Sequence, residues 1–297
     1  MRNALAVLCL ICSGLLSAAS LAGHQIDQLL REEEPIREIA GELPEDEQFS
    51  AAVSQIMVSE LSGRLPEGVS GFIGGGVEDF VSGVVGGLLD DERTRQAWDE
   101  TLQTTRADYV ERLDRLFAEG TTGDTSELDV RVDLEPMAGA VAASLVDSIP
   151  LVDADSFDIP TPEMVVDIEA ATDGDADPYT WATLAAASQY WAALAVAAGV
   201  LLLLGLILGT GKGRWAALSV GGITAALAGT WIALTVASPD FEQPEQLPQE
   251  TSAILQHVEA QFTGWAQPAW WLFVAGAAAV VVLGLLGALV ARPVQRR

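Results

Sequence analysis

The sequence predicts a helical membrane protein: a four-helix transmembrane bundle, one N-terminal span plus three C-terminal spans, with an exported, mainly helical α+β domain. Residues 181–209, 215–238 and 269–291 contain no charged side chain, and a helix needs about 20 mostly apolar residues to cross the hydrocarbon core. Residues 1–23 form a fourth apolar run, and none of the 42 Asp and Glu residues falls in any of the four. Because backbone polar groups in lipid must be satisfied within the segment, these runs are predicted to be helices.

The N-terminal run has the pattern of a secretory signal. Arg2 precedes an apolar stretch and then several small residues, and Ser20-Leu21-Ala22 fits a cleavage site. The same stretch is long enough to remain as an uncleaved signal anchor, and we favour the anchor over a cleaved signal peptide. In both cases the following domain, residues 24–180, is exported.

That domain is strongly acidic. Between Asp27 and Asp177 the chain has 37 carboxylates and nine arginines, a net charge of −28. Such a field repels nucleic acid and anionic headgroups, which leaves cations, basic protein surfaces or simple solubility as the better explanations of the charge. An acidic, lysine-poor surface is also typical of adaptation to a salty habitat. The two cysteines, Cys9 and Cys12, lie in the first apolar run, so the domain has no disulfide and depends on its own core.

Helical periodicity dominates the first two thirds of this domain. Residues 49–65 and 69–89 show it, with Pro66 between them. Residues 90–118 form the most amphipathic helix, which Gly120 is expected to end. Its apolar stripe, predicted to face the core rather than a partner helix, consists of Trp98, Leu102, Thr105, Tyr109, Leu113 and Leu116.

The remainder of the domain predicts a small sheet. Residues 126–134 alternate apolar and charged side chains, the pattern of a half-buried strand. Residues 156–159 are the expected partner strand, and residues 137–146 form a short helix between the two strands. An α+β domain with a minimal sheet follows.

The basic residues predict the orientation. Arg2, Lys212, Arg214 and the 292–297 tail carry positive charge, whereas the 239–268 loop has neither lysine nor arginine. By the positive-inside rule, both termini and the 210–214 turn are cytoplasmic in a plasma membrane, and residues 24–180 and 239–268 are extracytoplasmic. The tryptophans near the span ends fit the headgroup level; they are Trp181, Trp215, Trp265, Trp270 and Trp271.

Candidate chemistry is sparse. Asp173, Asp175 and Asp177 resemble the opening of a calcium loop, but the sixth and twelfth positions are Pro178 and Leu184 instead of Gly and Glu. This makes them at most a weak cation site, and a solvated acidic linker is the favoured interpretation. Two histidines and no exported cysteine are too few for a zinc site, and no nucleophile–base set is recognisable. We therefore predict no catalytic residue, no metal and no cofactor.

The spans themselves are predicted to be structural. They contain no ionisable carboxylate, amine or imidazole, which ion-coupled transporters usually require. Small residues at four-residue spacing provide helix-packing positions, either within one chain or, less favoured, in a homo-oligomer. These positions are Gly205, Gly209, Ala225 and Gly229.

Three stretches carry a family resemblance. They are Asp91-Glu-Arg-Thr-Arg-Gln-Ala-Trp-Asp-Glu, Leu128-Asp-Val-Arg-Val-Asp-Leu and Ile149-Pro-Leu-Val-Asp-Ala-Asp. Over about residues 53–291 the chain resembles a group of uncharacterised four-pass integral membrane proteins of actinobacteria with a large helical ectodomain. The resemblance implies a plasma-membrane protein of unassigned function, and it supplies no catalytic residues.

Together these features predict a non-enzymatic integral membrane protein. Its acidic domain would serve protein interaction or organisation of the cell envelope, with the lipid bilayer as a constant partner and nucleic acid excluded. The alternative is a passive channel or pore subunit, in which the acidic domain concentrates cations at the mouth and the span hydroxyls face an axis.

Overall fold

A computed structural model of the protein describes residues 1–46, 49, 92–120, 128–148, 163–166, 177–239 and 249–291. The chain divides into two compact units. The first comprises Met1–Gln28, Thr183–Asp240 and Phe262–Arg297, and the second comprises Leu29–Ala182 and Phe241–Gln261. The predicted helices 49–65 and 69–89 lie outside the described residues, apart from Phe49.

Four helices of the described chain are long and apolar enough to cross a membrane. They are α1 (Arg2–Arg31), α6 (Trp191–Leu208), α7 (Lys212–Thr235) and α8 (Gln249–Val290), of which Gln256–Val290 has the required composition. Large apolar side chains such as Leu203, Ile207 and Leu272 are exposed on their surfaces. In water this exposure is unfavourable, whereas lipid tails accommodate it. By length and composition, these helices identify a membrane-embedded protein.

The first unit is held together by the buried face of α1, where three of four regularly spaced residues are small. Ala6, Leu10, Gly14 and Ala18 recur at four-residue spacing and are buried. Leu10 packs with Ala6 and Ala217, and Ala18 packs with Ala233 and Trp270 in a second cluster. Lipid tails are as apolar as the side chains, so the hydrophobic effect does not drive these helices together. Close van der Waals packing at such positions stabilises the bundle instead.

The basic segments of the first unit lie at one end of the helices. The Asn3 Oδ1 atom accepts hydrogen bonds from the Thr210 N–H and hydroxyl, each at 3.1 Å. At the same end the Trp215 ring contacts Gly287 of α8. Arg2, Lys212 and the last turn of α8 are therefore neighbours in space, the arrangement that the basic-residue pattern requires.

The predicted 181–209 span is two helices rather than one. Helix α5 (Pro178–Ser188) ends at a turn made by Gln189 and Tyr190, and α6 begins at Trp191. The Ser188 hydroxyl donates to the Ala185 carbonyl and the Tyr190 N–H donates to the Ala187 carbonyl, both three residues back, which tightens the chain into a turn. At 18 residues, α6 is about 27 Å long and still matches the hydrocarbon thickness.

Other predicted boundaries also shift. The 210–214 turn is shorter than predicted, because α7 already begins at Lys212. The predicted 239–268 loop is helical from Gln249, and Pro268 lies inside α8. Proline removes one backbone hydrogen bond and usually breaks a helix in water, but membrane helices tolerate it. The helix that contains the predicted 269–291 span therefore begins well before residue 269.

The second unit is built around α3 (Glu92–Glu119), the predicted amphipathic helix. The members of its stripe are buried or half-buried, with Trp98 2 % exposed, which confirms that the stripe faces the core. The Trp98 indole N–H donates to the Ala40 carbonyl at 2.7 Å and its ring contacts Phe49 edge-on at 5.0 Å. This contact fixes α2 (Glu33–Ala40) and the 3₁₀ turn Leu43–Glu45 against α3.

The small sheet of the second unit has a different partner strand from the one predicted. β1 (Val130–Asp133) pairs antiparallel with β2 (Glu163–Val166), Val132 opposite Met164. The expected partner, residues 156–159, lies outside the described residues. Helix α4 (Glu135–Ser148) follows β1, slightly longer than the predicted 137–146, and Gly120 ends α3 with φ +65° as expected.

An ion pair between α2 and α3 makes the second unit sensitive to acid. Arg37 binds both carboxylate oxygens of Asp99, at 2.7 and 2.9 Å. The hydrogen bond from Arg37 holds the pKa of Asp99 below its usual range. A carboxyl whose folded pKa is depressed stabilises the fold above its unfolded pKa, about 3.9, and loses that contribution as pH falls through the folded value.

We therefore expect the melting temperature of the wild type to exceed that of Asp99→Asn at pH 7, and the difference to shrink as the pH falls below the unfolded pKa of about 3.9. The effect is small because the two side chains are 43 % and 39 % exposed. Thermal unfolding of both proteins across this pH range measures it. A difference that grows toward low pH would contradict the assigned ion pair.

Candidate functional site

Two of the predicted packing residues bring α1 against its neighbours. Gly205 of α6 lies against Leu10, so that a Cβ there would be 2.6 Å from the Leu10 Cγ atom. Ala225 of α7 faces Gly14, whose own added Cβ would lie 2.7 Å from the Gly221 carbonyl oxygen. The backbones of α1, α6 and α7 therefore approach closely at these small residues.

The other two predicted packing residues act elsewhere. Gly229 of α7 lies under the Phe273 ring of α8, at 2.7 Å from its added Cβ. Gly209 follows the end of α6, where its Cβ would meet the Arg214 backbone, so it serves the turn rather than a helix face. Three of the four residues thus contribute to contacts among helices of one chain.

Four hydroxyl groups of the spans donate to backbone carbonyls. Those of Thr224 and Thr235 donate to the carbonyls four residues earlier in α7. Ser13 and Ser20 of α1 donate to carbonyls of α6, those of Ala198 and Trp191, each at 2.8 Å. The Ser13 and Ser20 hydroxyls therefore help to hold α1 against α6, whereas the Thr224 and Thr235 bonds lie within α7.

A polar contact at the other end of the bundle was not predicted. The Gln25 amide donates to the Ala266 carbonyl at 3.0 Å and accepts from the Trp270 indole at 2.7 Å, which links α1 to α8. Trp270, expected at the headgroup level, is buried. In the sequence, the only indication of this contact is that Gln25 follows an apolar run. That position does not identify Trp270, 245 residues away, as its partner.

Of the three candidate cation residues, Asp173, Asp175 and Asp177, the structure describes only Asp177, and its carboxylate has a structural role. Asp173 and Asp175 lie outside the described residues. The Asp177 carboxylate accepts hydrogen bonds from the Thr180 N–H at 3.0 Å and the Thr180 hydroxyl at 2.5 Å, which caps the N-terminus of α5. These bonds lower the pKa of Asp177. Among the described residues, no group of three or more His, Cys, Asp or Glu converges as metal ligands.

The two histidines also lie within the fold. The His24 ring contacts the Trp191 ring, with centroids 4.4 Å apart. Within the described ranges, the Nδ1 atom of His24 and the Nε2 atom of His257 are buried and have no hydrogen-bond partner.

The chain has no counterpart in three comparisons: no protein-family model, no curated protein and no solved structure matches it. The resemblance to the actinobacterial four-pass proteins remains a prediction.

Proposed function

We propose that this protein is a non-enzymatic membrane anchor that presents an acidic extracytoplasmic domain to a protein partner at the cell surface. The observation that carries the proposal is the use of polar groups inside the bundle. The hydroxyls of Ser13 and Ser20 donate to backbone carbonyls of α6, and the Gln25 amide bonds to the Ala266 carbonyl and to the Trp270 indole. Since the membrane helices hold one another, the surface left for a partner is that of the 24–180 domain.

The orientation follows from the charges at the two ends. Arg2, Lys212 and Arg214 share one end of the first unit with the last turn of α8, which the 292–297 tail follows. The positive-inside rule places this end in the cytoplasm of a plasma membrane. Residues 24–180 and 239–268 are then extracytoplasmic, and the acidic domain, with its helices and the β1–β2 pair, is exported.

The N-terminal helix supports retention of the signal sequence as an anchor. Helix α1 runs without interruption through Ser20-Leu21-Ala22, where Ser20 is buried and bonded to the Trp191 carbonyl. Signal cleavage after Ala22 would remove the Gly14 and Ser13 contacts with α7 and α6. We expect a C-terminally tagged protein to have the mass of the full 31.2 kDa chain plus the mass of the tag. Intact-mass spectrometry of the membrane-purified protein detects this, and a mass lacking residues 1–22 would show cleavage.

Site-specific photo-crosslinking in living cells tests the proposed function. A photoreactive residue at Ala107 or Ala118, both exposed on α3, is expected to capture the same protein partner. The matched control is Val196, which is 68 % exposed on α6 and faces lipid under the proposed arrangement. Capture should weaken as salt rises, because screening weakens attraction to an acidic surface.

The proposal fails if the Ala107 and Ala118 probes yield no protein adduct, or the same adducts as the Val196 probe. We favour the channel alternative less, because the Ser13 and Ser20 hydroxyls already donate to carbonyls of α6. A salt-dependent conductance of the purified protein in a planar bilayer would reverse this preference.

A further inference from the structure

A charged groove lies on the second unit, beside α3 and the β1 strand. It has a volume of about 480 Å³ and seven charged residues line it. They are Asp108, Glu111, Arg112, Arg115, Arg131, Asp133 and Glu135. The residues come from one exposed helix edge, from the strand and from the first turn of α4, so secondary structure positions all of them.

The groove differs from the rest of the domain in its balance of charge. Three of the nine arginines between Asp27 and Asp177 line it, against four of the 37 carboxylates. The lining is therefore close to neutral, whereas the domain carries −28. An anionic group that the overall field repels can still be held here, because nearby guanidinium groups outweigh distant carboxylates in a screened medium.

The arginines of the groove differ in how strongly they are already engaged. The Arg112 guanidinium donates to the Asp129 carbonyl at 2.9 Å and lies over the Tyr109 ring at 5.6 Å, which positions it. Arg115 pairs with Glu111 at 3.2 Å on an exposed helix surface, where such pairs exchange readily with solvent. In the part of the chain that the structure describes, the exposed Arg131 makes no ion pair.

We propose that this groove binds a small zwitterion of the amino-acid or dipeptide type. Its carboxylate would bind Arg131 and Arg115, since a guanidinium matches a carboxylate with two parallel hydrogen bonds. Its ammonium would bind the carboxylates of Asp108 and Glu135, and the second oxygen of Asp133, whose Oδ1 atom already accepts from the Glu135 N–H at 2.9 Å. The volume is within the usual range of small-molecule sites, about 300–1,000 Å³, and the nearly all-charged lining selects a polar occupant.

Both signs of charge are needed for this assignment. A simple anion would leave four carboxylates facing it, and a simple cation or a divalent metal would face three guanidinium groups. A zwitterion satisfies both sets at once. Binding of a zwitterion in this groove goes beyond the proposed interaction with a protein partner and does not depend on it.

Titration calorimetry on the full-length protein in detergent tests the proposal, with glycylglycine as the probe. Acetate and ethylammonium, the two halves of a zwitterion, are the matched ligands at equal ionic strength. We expect Arg131→Gln to weaken glycylglycine binding by about tenfold or more, the effect of losing one charged hydrogen-bonding group. Arg131→Lys should retain part of the affinity, because it keeps the charge but loses the paired geometry.

The control variant is Arg95→Gln, which removes an arginine outside the groove, at the start of α3, where it pairs with Glu45 at 3.4 Å. It should bind glycylglycine as the wild type does. Glu135→Gln tests the ammonium half, and circular dichroism checks that each variant is folded. Absence of glycylglycine binding by the wild type would overturn the proposal. So would equal affinity for acetate alone, or an equal loss in Arg95→Gln.

Discussion

Replacing Gly14 with valine is expected to separate the membrane helices and to give one of the two largest losses of stability. A Cβ at this position would lie 2.7 Å from the Gly221 carbonyl oxygen and 3.2 Å from the Ala225 nitrogen. Both are backbone atoms that cannot rotate away, so α1 must move away from α7. Overpacking of this kind costs about 1–3 kcal/mol, and more where the backbone must shift.

The movement of α1 would also strain the adjacent Ser13 hydrogen bond to Ala198. The matched control is Gly276→Val on α8, because an added Cβ there meets no atom of the described chain within 4 Å. Thermal unfolding in detergent is expected to show a clear decrease for Gly14→Val and little change for Gly276→Val. Equal stabilities would mean that α1 does not pack as described.

Replacing Trp98 with alanine is expected to be equally damaging to the acidic unit. Trp98 is 2 % exposed, contacts Phe49 and donates to the Ala40 carbonyl. Truncating a buried aromatic residue costs about 3–5 kcal/mol, because it removes apolar burial and leaves a cavity. That is a large share of the stability of an ordinary domain, about 5–15 kcal/mol.

Two further variants separate the contributions at Trp98. Trp98→Phe keeps an aromatic ring but removes the donor to Ala40, and leaving a buried carbonyl unsatisfied costs about 1–3 kcal/mol. Phe117→Ala is the exposed control on the same helix, at 44 % exposure, with an expected cost below about 1 kcal/mol. Denaturant unfolding ranks the three variants by their free energy of unfolding. It is monitored by far-ultraviolet circular dichroism, because the Trp98 variants change the tryptophan fluorescence. A Trp98→Ala effect no larger than that of Phe117→Ala would refute the buried core position.

Periodicity and apolar length were sufficient to predict the elements that local patterns determine. The stripe from Trp98 to Leu116 predicted both a helix and its buried face, and the alternation around Val132 predicted a strand. Gly205 and Gly229 were predicted as packing residues because small residues at helical spacing imply close approach. Each of these signals lies within a few consecutive turns or residues.

The features that sequence patterns missed depend on competing or distant interactions. The break at Gln189 and Tyr190 arises from tight hydrogen bonds within an otherwise uniform apolar run. The second half of the predicted 239–268 loop is helical, and α8 continues through Pro268. The Gln25 contact with Trp270 and the groove around Arg131 combine residues that are far apart in sequence or on different elements, so no local period reveals them.

The central claim, that an acidic domain is exported from a bundle whose termini are cytoplasmic, is tested most directly by cysteine labelling. In a Cys9→Ala and Cys12→Ala background, one cysteine is placed at the exposed Ala118 of α3 or at Gln295 of the tail. A membrane-impermeant maleimide applied to right-side-out vesicles should label the Ala118→Cys protein at once and the Gln295→Cys protein only after permeabilisation. Immediate labelling of Gln295→Cys together with protection of Ala118→Cys would show the opposite orientation and contradict the account.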